Sequence, residues 1–283
     1  MENCEMRVPL MSIVIANYNY GRFLDAAIQS VLSQGAGDWA ELIIVDGGST
    51  DNSVEIIKKY EDKIAWWVSE KDKGQSDAFN KGFSHARGKF LMWINADDVL
   101  TRGALTAVRR EIERHPACEW FVGSTVWTDE NLKVRKCFCA HRFSTLRARW
   151  GFLSAGGPSS FFTKRLLEDA GGFDVSLHYM MDTDLWYRFY RKCGAKYRRT
   201  RHNVWAYRQH EASKMSGADD NITALALENR RKSIAERKLL DQRYGPRDGW
   251  KARFAHLFSM SIADCVVAKI RTIKWKGRYA TEI

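Results

Sequence analysis

The chain has 283 residues, 45% of them apolar, and a formal net charge of +11; it is long and apolar enough to bury a core, which excludes an intrinsically disordered polyelectrolyte. The opening MENCEMRVPL lacks the apolar heart of a signal segment, and no run of about 18 uncharged apolar residues is available to span a membrane. Six scattered cysteines (Cys4, Cys118, Cys137, Cys139, Cys193, Cys265) show no paired zinc spacing and read as reduced thiols, so a cytoplasmic setting is expected.

The predicted elements alternate through the first hundred residues. MSIVIANY reads as a strand ending at Asn17, and GRFLDAAIQSVLSQ carries Phe23, Leu24, Ala27, Ile28, Val31 and Leu32 at helical spacing. ELIIVD is a short apolar strand, STDNSVEIIKKY a helix with Ser49, Thr50 and Asp51 as candidate caps, and KIAWWV a third strand. QSDAFNKGFSHA follows as a helix and KFLMWIN as a strand. Such alternation predicts a parallel sheet covered on both faces, with ligands bound beyond the carboxyl ends of its strands. Asn17, Asp46 and the run from Asn95 to Asp98 fall at those ends.

Beyond Leu100, RGALTAVRREIERHP predicts a helix, and a less regular stretch with WFVGSTVW and the turn-like TDEN follows. SAGGPSSFFTKRLLEDAGGFD holds a strand-like Phe161-Phe162 pair and a short helix. HYMMDTDLWYRFYRKCG reads as helical from about Asp182, AKYRRTRHNVWAYRQH as one or two strands, and two helices over about 220–240 and 250–278 end the chain. Residues 1–184 carry 22 lysines and arginines against 25 aspartates and glutamates, whereas residues 185–283 carry 23 against 9. That basic third suits an anionic partner (phospholipid headgroups, a diphosphate-linked substrate or nucleic acid); a merely solvated surface is the plainer alternative.

FLMWINADDVL ends an apolar strand on adjacent carboxylates, Asp97 and Asp98, which repel each other and lose hydration. A divalent cation would reward both, since Mg2+ and Mn2+ accept one or two carboxylates when phosphate oxygens and water complete the octahedron. A capping role at the helix beginning near Thr101 would explain only one of them. Asp46, ahead of Gly47 and Gly48, is placed to accept from a ribose hydroxyl or a base N–H, or else to serve the turn. No G-x-G-x-x-G follows the first strand and no G-x-x-x-x-G-K-[ST] occurs, which argues against a dinucleotide dehydrogenase and a P-loop ATPase.

Read jointly, SIVIANYNYGRFLDAAIQSVLSQ, ELIIVDGGSTDNS, EKDKGQSDAFNKGFSHARGKFLMWINADDVL, GGPSSFF and GGFDVSLHYMMDTDLWYRF resemble, in this order over roughly residues 10–190, the inverting family 2 glycosyltransferases of GT-A fold. The resemblance implies an α/β fold, a Rossmann-like nucleotide-binding mixed sheet flanked by helices. It implies a glycosyltransferase domain over 1–215, with a nucleotide-sugar half at about 10–100 and an acceptor half at about 101–215, and a basic helical extension over 216–283. It also implies a Mn2+ or Mg2+ cofactor on Asp98, with His210 completing the site. Ala16, Asn17, Tyr18 and Asn19 would lie against base and ribose, and Asp46 would bond the base. Lys73, Gly74 and Asp77 would line the far side of the base pocket, unless Asp77 caps its own helix. Asn95, which stands where many relatives have Asp, and Asp97 would face the donor ribose or sugar; Gly47 replaces a frequent second Asp.

Asp182 in MMDTDLW matches the family's general base, which takes the proton of the attacking acceptor hydroxyl. Asp184 is its rival, and on a helix the two diverge by about 200°; Asp182 could also merely cap that helix. Gly157, Ser159 and Ser160 of GGPSS would adjoin the acceptor, and Arg208 and Lys214 of YRQHEASKMS would neutralise the leaving diphosphate. The Q-x-x-R-W signature of processive relatives is missing, which implies that one sugar is added. The expected partners are a nucleotide-sugar donor, UDP-linked by this resemblance, and a glycan or lipid-linked acceptor of bacterial cell-surface synthesis. The basic third would meet an anionic membrane at its inner face, and no nucleic acid is expected. A nucleotidyltransferase making activated sugars and a non-catalytic nucleotide-sugar binder stay open as alternatives. The former would want a Gly-rich basic loop, of which NYNYGRF offers only Gly21 and Arg22.

Overall fold

The computed structural model describes residues 8–145, 148, 155–211, 213, 224–245 and 262–283. The predicted alternation is present: β1 (Met11–Asn17), α1 (Gly21–Leu32), β2 (Ala40–Asp46), α2 (Ser53–Lys58), β3 (Trp66–Ser69), α3 (Gln75–His85) and β4 (Phe90–Asn95). β1 pairs in parallel with both β2 and β4, and β2 in parallel with β3. Because both faces of this sheet are covered, its strands are apolar almost throughout. Alternate residues feed opposite faces: Ile13 and Ile15 join Leu24 and Ile28 of α1, whereas Val14 joins Phe79 and Phe83 of α3. α3 lies so close that a Cβ added at Gly82 would meet Val14 Cγ1 at 2.4 Å.

The second half is mixed rather than parallel. β5 (Val99–Leu100), α4 (Ala104–Arg114), β6 (Trp120–Thr128), β7 (Val134–Phe138), β8 (Ser160–Thr163), α5 (Lys164–Ala170), α6 (Met181–Arg191) and β9 (Arg198–Arg208) extend the sheet to the order β3-β2-β1-β4-β8-β6-β9-β5, with β7 paired to β6. β8 runs antiparallel to β4 and β6, while β6 and β9 run parallel. Trp93, Trp120, Trp186, Phe162 and Phe189 stack between this sheet and α6, all essentially inaccessible to solvent.

The last two helices, α7 (Ala224–Tyr244) and α8 (Ile262–Trp275), which fall in the extension expected after 215, pack against the preceding elements. Leu240 is 1% exposed within the core shared with α6, and Tyr244 stacks on Tyr187 at 4.6 Å. Asp264 of α8 pairs with Arg199 of β9 at 2.7 Å, and the Thr272 hydroxyl accepts the Cys137 amide of β7 at 3.0 Å. No helix among the described residues is long and apolar enough to cross a membrane.

Candidate active site

Strand register sets Asn17 beside Asp46 and Ala16 beside Asn95 at one end of the sheet. Asp46 is fully buried. Its Oδ1 accepts from Asn17 Nδ2 (2.6 Å) and Ser49 Oγ (2.5 Å), and its Oδ2 from the Ser49 amide (2.9 Å) and Ser69 Oγ (2.6 Å). Four donors fill a carboxylate's acceptor sites, so Asp46 here holds Asn17 in place, and the base contact expected of it would need one of these donors to give way. Asn17 Nδ2 also reaches Ser49 Oγ at 3.2 Å, which leaves the buried Asn17 Oδ1 as an acceptor with no partner. The space of a side chain at Gly47 is taken, because a Cβ there would meet Asp72 Oδ2 at 2.7 Å and Tyr18 Cδ2 at 3.3 Å. Asp72 was not among the expected residues; burial pushes its carboxyl up, against the Gly74 amide that it accepts at 2.8 Å. Tyr18 is 58% exposed, and the exposed Lys73 gives its amide to Asp77 Oδ2 at 3.0 Å, which is the capping alternative for Asp77.

The two strand-end carboxylates part company. Asp98 is turned inward and fully buried; its Oδ1 accepts the Arg208 amide and its Oδ2 the Asn95 side chain, both at 2.9 Å. Burial and the neighbouring Asp97 push its carboxyl well above the usual range. Each Asp98 oxygen thus holds one hydrogen bond and keeps a further acceptor site, so the expected role of Asp98 as a cation ligand stays a proposal. Asn95 is likewise engaged internally, its Oδ1 accepting from Gln75 Nε2 at 2.6 Å. Asp97 is the outward member, 3.1 Å from His210 Nε2. The His210 ring lies 4.6 Å from Phe23 and 5.7 Å from Tyr20, and its buried Nδ1 has no partner. Burial and Asp97 push the Tyr20 phenol up to about 12.

Arg208 completes this corner. Its guanidinium sits 4.5 Å over the Phe23 ring and gives Nη1 to the Glu130 carbonyl at 3.4 Å, while Nε and Nη2 are buried without partners. Burial pulls the guanidinium down and Asp98 and Asp97 hold it up. Unsatisfied buried N–H groups are costly, roughly 1–3 kcal/mol each, and mark a place for an acceptor. Among the described residues, no three His, Cys, Asp or Glu side chains converge on one point. A cation here would rest on the expected Asp98 and His210 with Asp97 beside them, and take its other ligands from bound oxygens, as Mg2+ and Mn2+ do beside phosphates. Lys214 lies outside the described residues.

α3 connects this corner to the acceptor side. Gln75 reaches Asn95, and the next residue, Ser76, donates to the Leu177 carbonyl at 2.7 Å, just ahead of α6. Asp182, in the first turn of α6, accepts the Thr183 amide (2.6 Å) on Oδ1, and burial raises its carboxyl. Its Oδ2 stands 3.1 Å from where a Cβ at Gly157 would be, with Trp93 Cζ2 3.7 Å from that point. Gly157 and Asp182 are thus brought together. Ser159 and Ser160 are both fully buried and give their hydroxyls to the Gly156 carbonyl at 3.1 and 2.9 Å. Asp184, the rival base, is 1% exposed and bound by Arg188 (2.7 Å), Arg243 (3.2 Å) and Tyr244 (2.7 Å).

Comparison with known proteins places this geometry. A glycosyltransferase of Mycobacterium bovis named for PGL/p-HBAD biosynthesis is 31% identical over 183 residues, 63% of this chain and 69% of that protein. An uncharacterized glycosyltransferase of Nostoc is 45% identical over 93 residues, 31% of this chain and only 28% of its own length. The mannosyltransferase PcManGT of Pyrobaculum calidifontis, solved with GDP-Man and Mn2+, superposes over 95% of this chain and 81% of its own with a TM-score of 0.58 at 14% identity. TarS of S. aureus (residues 1–349), solved with UDP-GlcNAc, covers 80% of this chain and 66% of its own at a TM-score of 0.59 and 19% identity. These likenesses show the expected GT-A fold. Since the family model described as "Glycosyl transferase family 2" matches residues 12–169, more than half of the sequence, the chain belongs to glycosyl transferase family 2.

Proposed function

We propose that this protein transfers one sugar, with inversion, from a UDP-linked donor to a glycan or lipid-linked acceptor in bacterial cell-surface synthesis, using Mn2+ or Mg2+. The observation that carries the reading is the Asp97, His210 and Arg208 corner. It presents a carboxylate, an imidazole and a buried guanidinium with two orphaned N–H groups, the mixture that a cation and a diphosphate satisfy together. The relatives support it: the neighbouring structures hold UDP-GlcNAc, or GDP-Man with Mn2+.

In this reading Asn17 Oδ1, kept free by Asp46, accepts a base N–H, and the exposed Tyr18 ring offers a stacking face. The cation, when bound, neutralises charge on the departing diphosphate, and Arg208 adds its guanidinium. Asp182 takes the acceptor proton, and its raised affinity for that proton makes it a stronger base than an exposed aspartate. A screen of nucleotide sugars for Mn2+-dependent release of free nucleotide tests this. UDP sugars should be turned over, Asp97→Ala should abolish release, and Asp182→Asn should abolish transfer while donor affinity persists. Full transfer by Asp182→Asn would overturn the assignment.

A further inference from the structure

Helix α7 reaches back to the segment that carries the proposed base. Met180, the residue before α6, has no side-chain cap, yet three successive amides, those of His178, Tyr179 and Met180, donate to the Glu236 carboxylate. His178 meets Oε1 and the other two meet Oε2, each at 2.8 Å. The first amides of a helix have no partner within it, and a negative charge at that end is favoured by the helix dipole. Glu236 supplies the charge from more than fifty residues away; of the three amides it holds, that of Met180, the N-cap, belongs to the helix end, and those of His178 and Tyr179 form the turn before it. The same segment is pinned on its other side by α3. Ser76 Oγ donates to the Leu177 carbonyl at 2.7 Å, and Asn80 exchanges two hydrogen bonds with the backbone of Phe173, both at 2.8 Å. A further tie from α7 is Tyr179 Oη on Asn229 Oδ1 at 2.8 Å.

We infer that Glu236 is a positioning residue for the transfer reaction: it fixes the turn from His178 to Met180 and so sets where Asp182 stands against Gly157. The inference rests on Asp182 being the base. Asp182 is only two residues beyond the last amide held and lies within the same helical turn, so a loosened cap displaces its carboxylate directly. Glu236 touches no atom assigned to donor or cation.

The test compares Glu236→Ala, Glu236→Gln and Glu236→Asp with Asp182→Asn and the parent, all as the full chain. For Glu236→Ala, kcat for transfer should fall about 10- to 100-fold. The donor Kd and Mn2+ affinity should stay within about twofold, since the Glu236 carboxylate is spent on the His178, Tyr179 and Met180 amides and meets none of Asn17, Asp97, Arg208 or His210. Glu236→Gln, which keeps one accepting oxygen, should recover part of the loss. Uncatalysed-like donor hydrolysis, which does not use the acceptor proton, should be spared. Equal kcat in Glu236→Ala, with only a lowered Tm, would reduce Glu236 to a stability role and overturn the inference. If Asp182→Asn transfers normally, the reading beneath it fails instead.

Discussion

At the residue scale, the separation of Asp97 from Asp98 gives the sharpest expectation. Asp98→Ala removes the acceptor of a buried amide and of the Asn95 side chain, so it should cost about 1–3 kcal/mol of stability in urea melts. Asp97→Ala leaves the buried His210 Nε2 without its partner and should cost a comparable amount of stability, but it should in addition remove the Mn2+ dependence of turnover. Loss of that dependence in Asp98→Ala instead would make Asp98 the ligand. The pH profile offers a second check on Asp182. Its carboxyl is raised by burial, and a base must be deprotonated. The acidic limb of kcat/KM should therefore lie above the ordinary aspartate range, with activity falling as pH drops through it. Two adjacent strand-end carboxylates were legible as a charged corner. Which of them is buried was not, because one backbone step turns neighbouring side chains to opposite faces and only the arrival of β9 decides which face is closed. Asp72 and Glu236 escaped for a related reason: each acts on a residue far away in sequence, with no local motif to announce it.

At the element scale, the parallel half was readable because β1 to β4 alternate with helices of clear apolar spacing. β7 and β5 were not, being short and fixed by pairing with β6 and β9. Nor did any pattern in α7 show which face it buries; its attachments are Leu240, Tyr244 and polar contacts to α6 and the turn before it. Distant capping recurs, for Asp51 Oδ2 accepts the Gly21 amide at the start of α1 at 2.8 Å much as Glu236 serves α6. α3 carries the strictest packing demand. A methyl at Gly82 would stand 2.4 Å from Val14 Cγ1 and 3.2 Å from Val45 Cγ2, and both partners are β-branched and fully buried. Alanine's better helix propensity, about 1 kcal/mol, is outweighed unless α3 withdraws from the sheet. Gly82→Ala should thus lower stability by about 1–3 kcal/mol. It should also weaken donor binding, since Gln75 and Ser76 sit on the same helix. A stabilised Gly82→Ala would show that the sheet yields there.

At the scale of the whole molecule, the uneven charge acquires a surface. α8 is anchored on one side by Asp264 and Thr272. On the other it exposes Val266, Ile270 and Ile273 by 47%, 57% and 72%. Those three fall within about 60° of arc on a helix, and the exposed Lys269 and Lys274 flank them on either side. An apolar centre edged by lysines would suit a helix lying in a membrane interface, and 23 basic against 9 acidic residues after position 184 would favour anionic headgroups. Each basic residue near such a surface contributes about 1 kcal/mol, and burying an isoleucine about 1.5–3 kcal/mol. The protein should therefore sediment with vesicles containing anionic lipid and not with neutral ones, and raised salt should weaken the association. Ile270→Asp with Ile273→Asp should reduce it at least about tenfold while transfer to a water-soluble acceptor analogue proceeds unchanged. Equal binding to neutral vesicles, or an unaffected double variant, would mean that this face of α8 meets something other than a bilayer. A lipid-linked acceptor would then have to reach Asp182 without the enzyme resting on the surface that carries it.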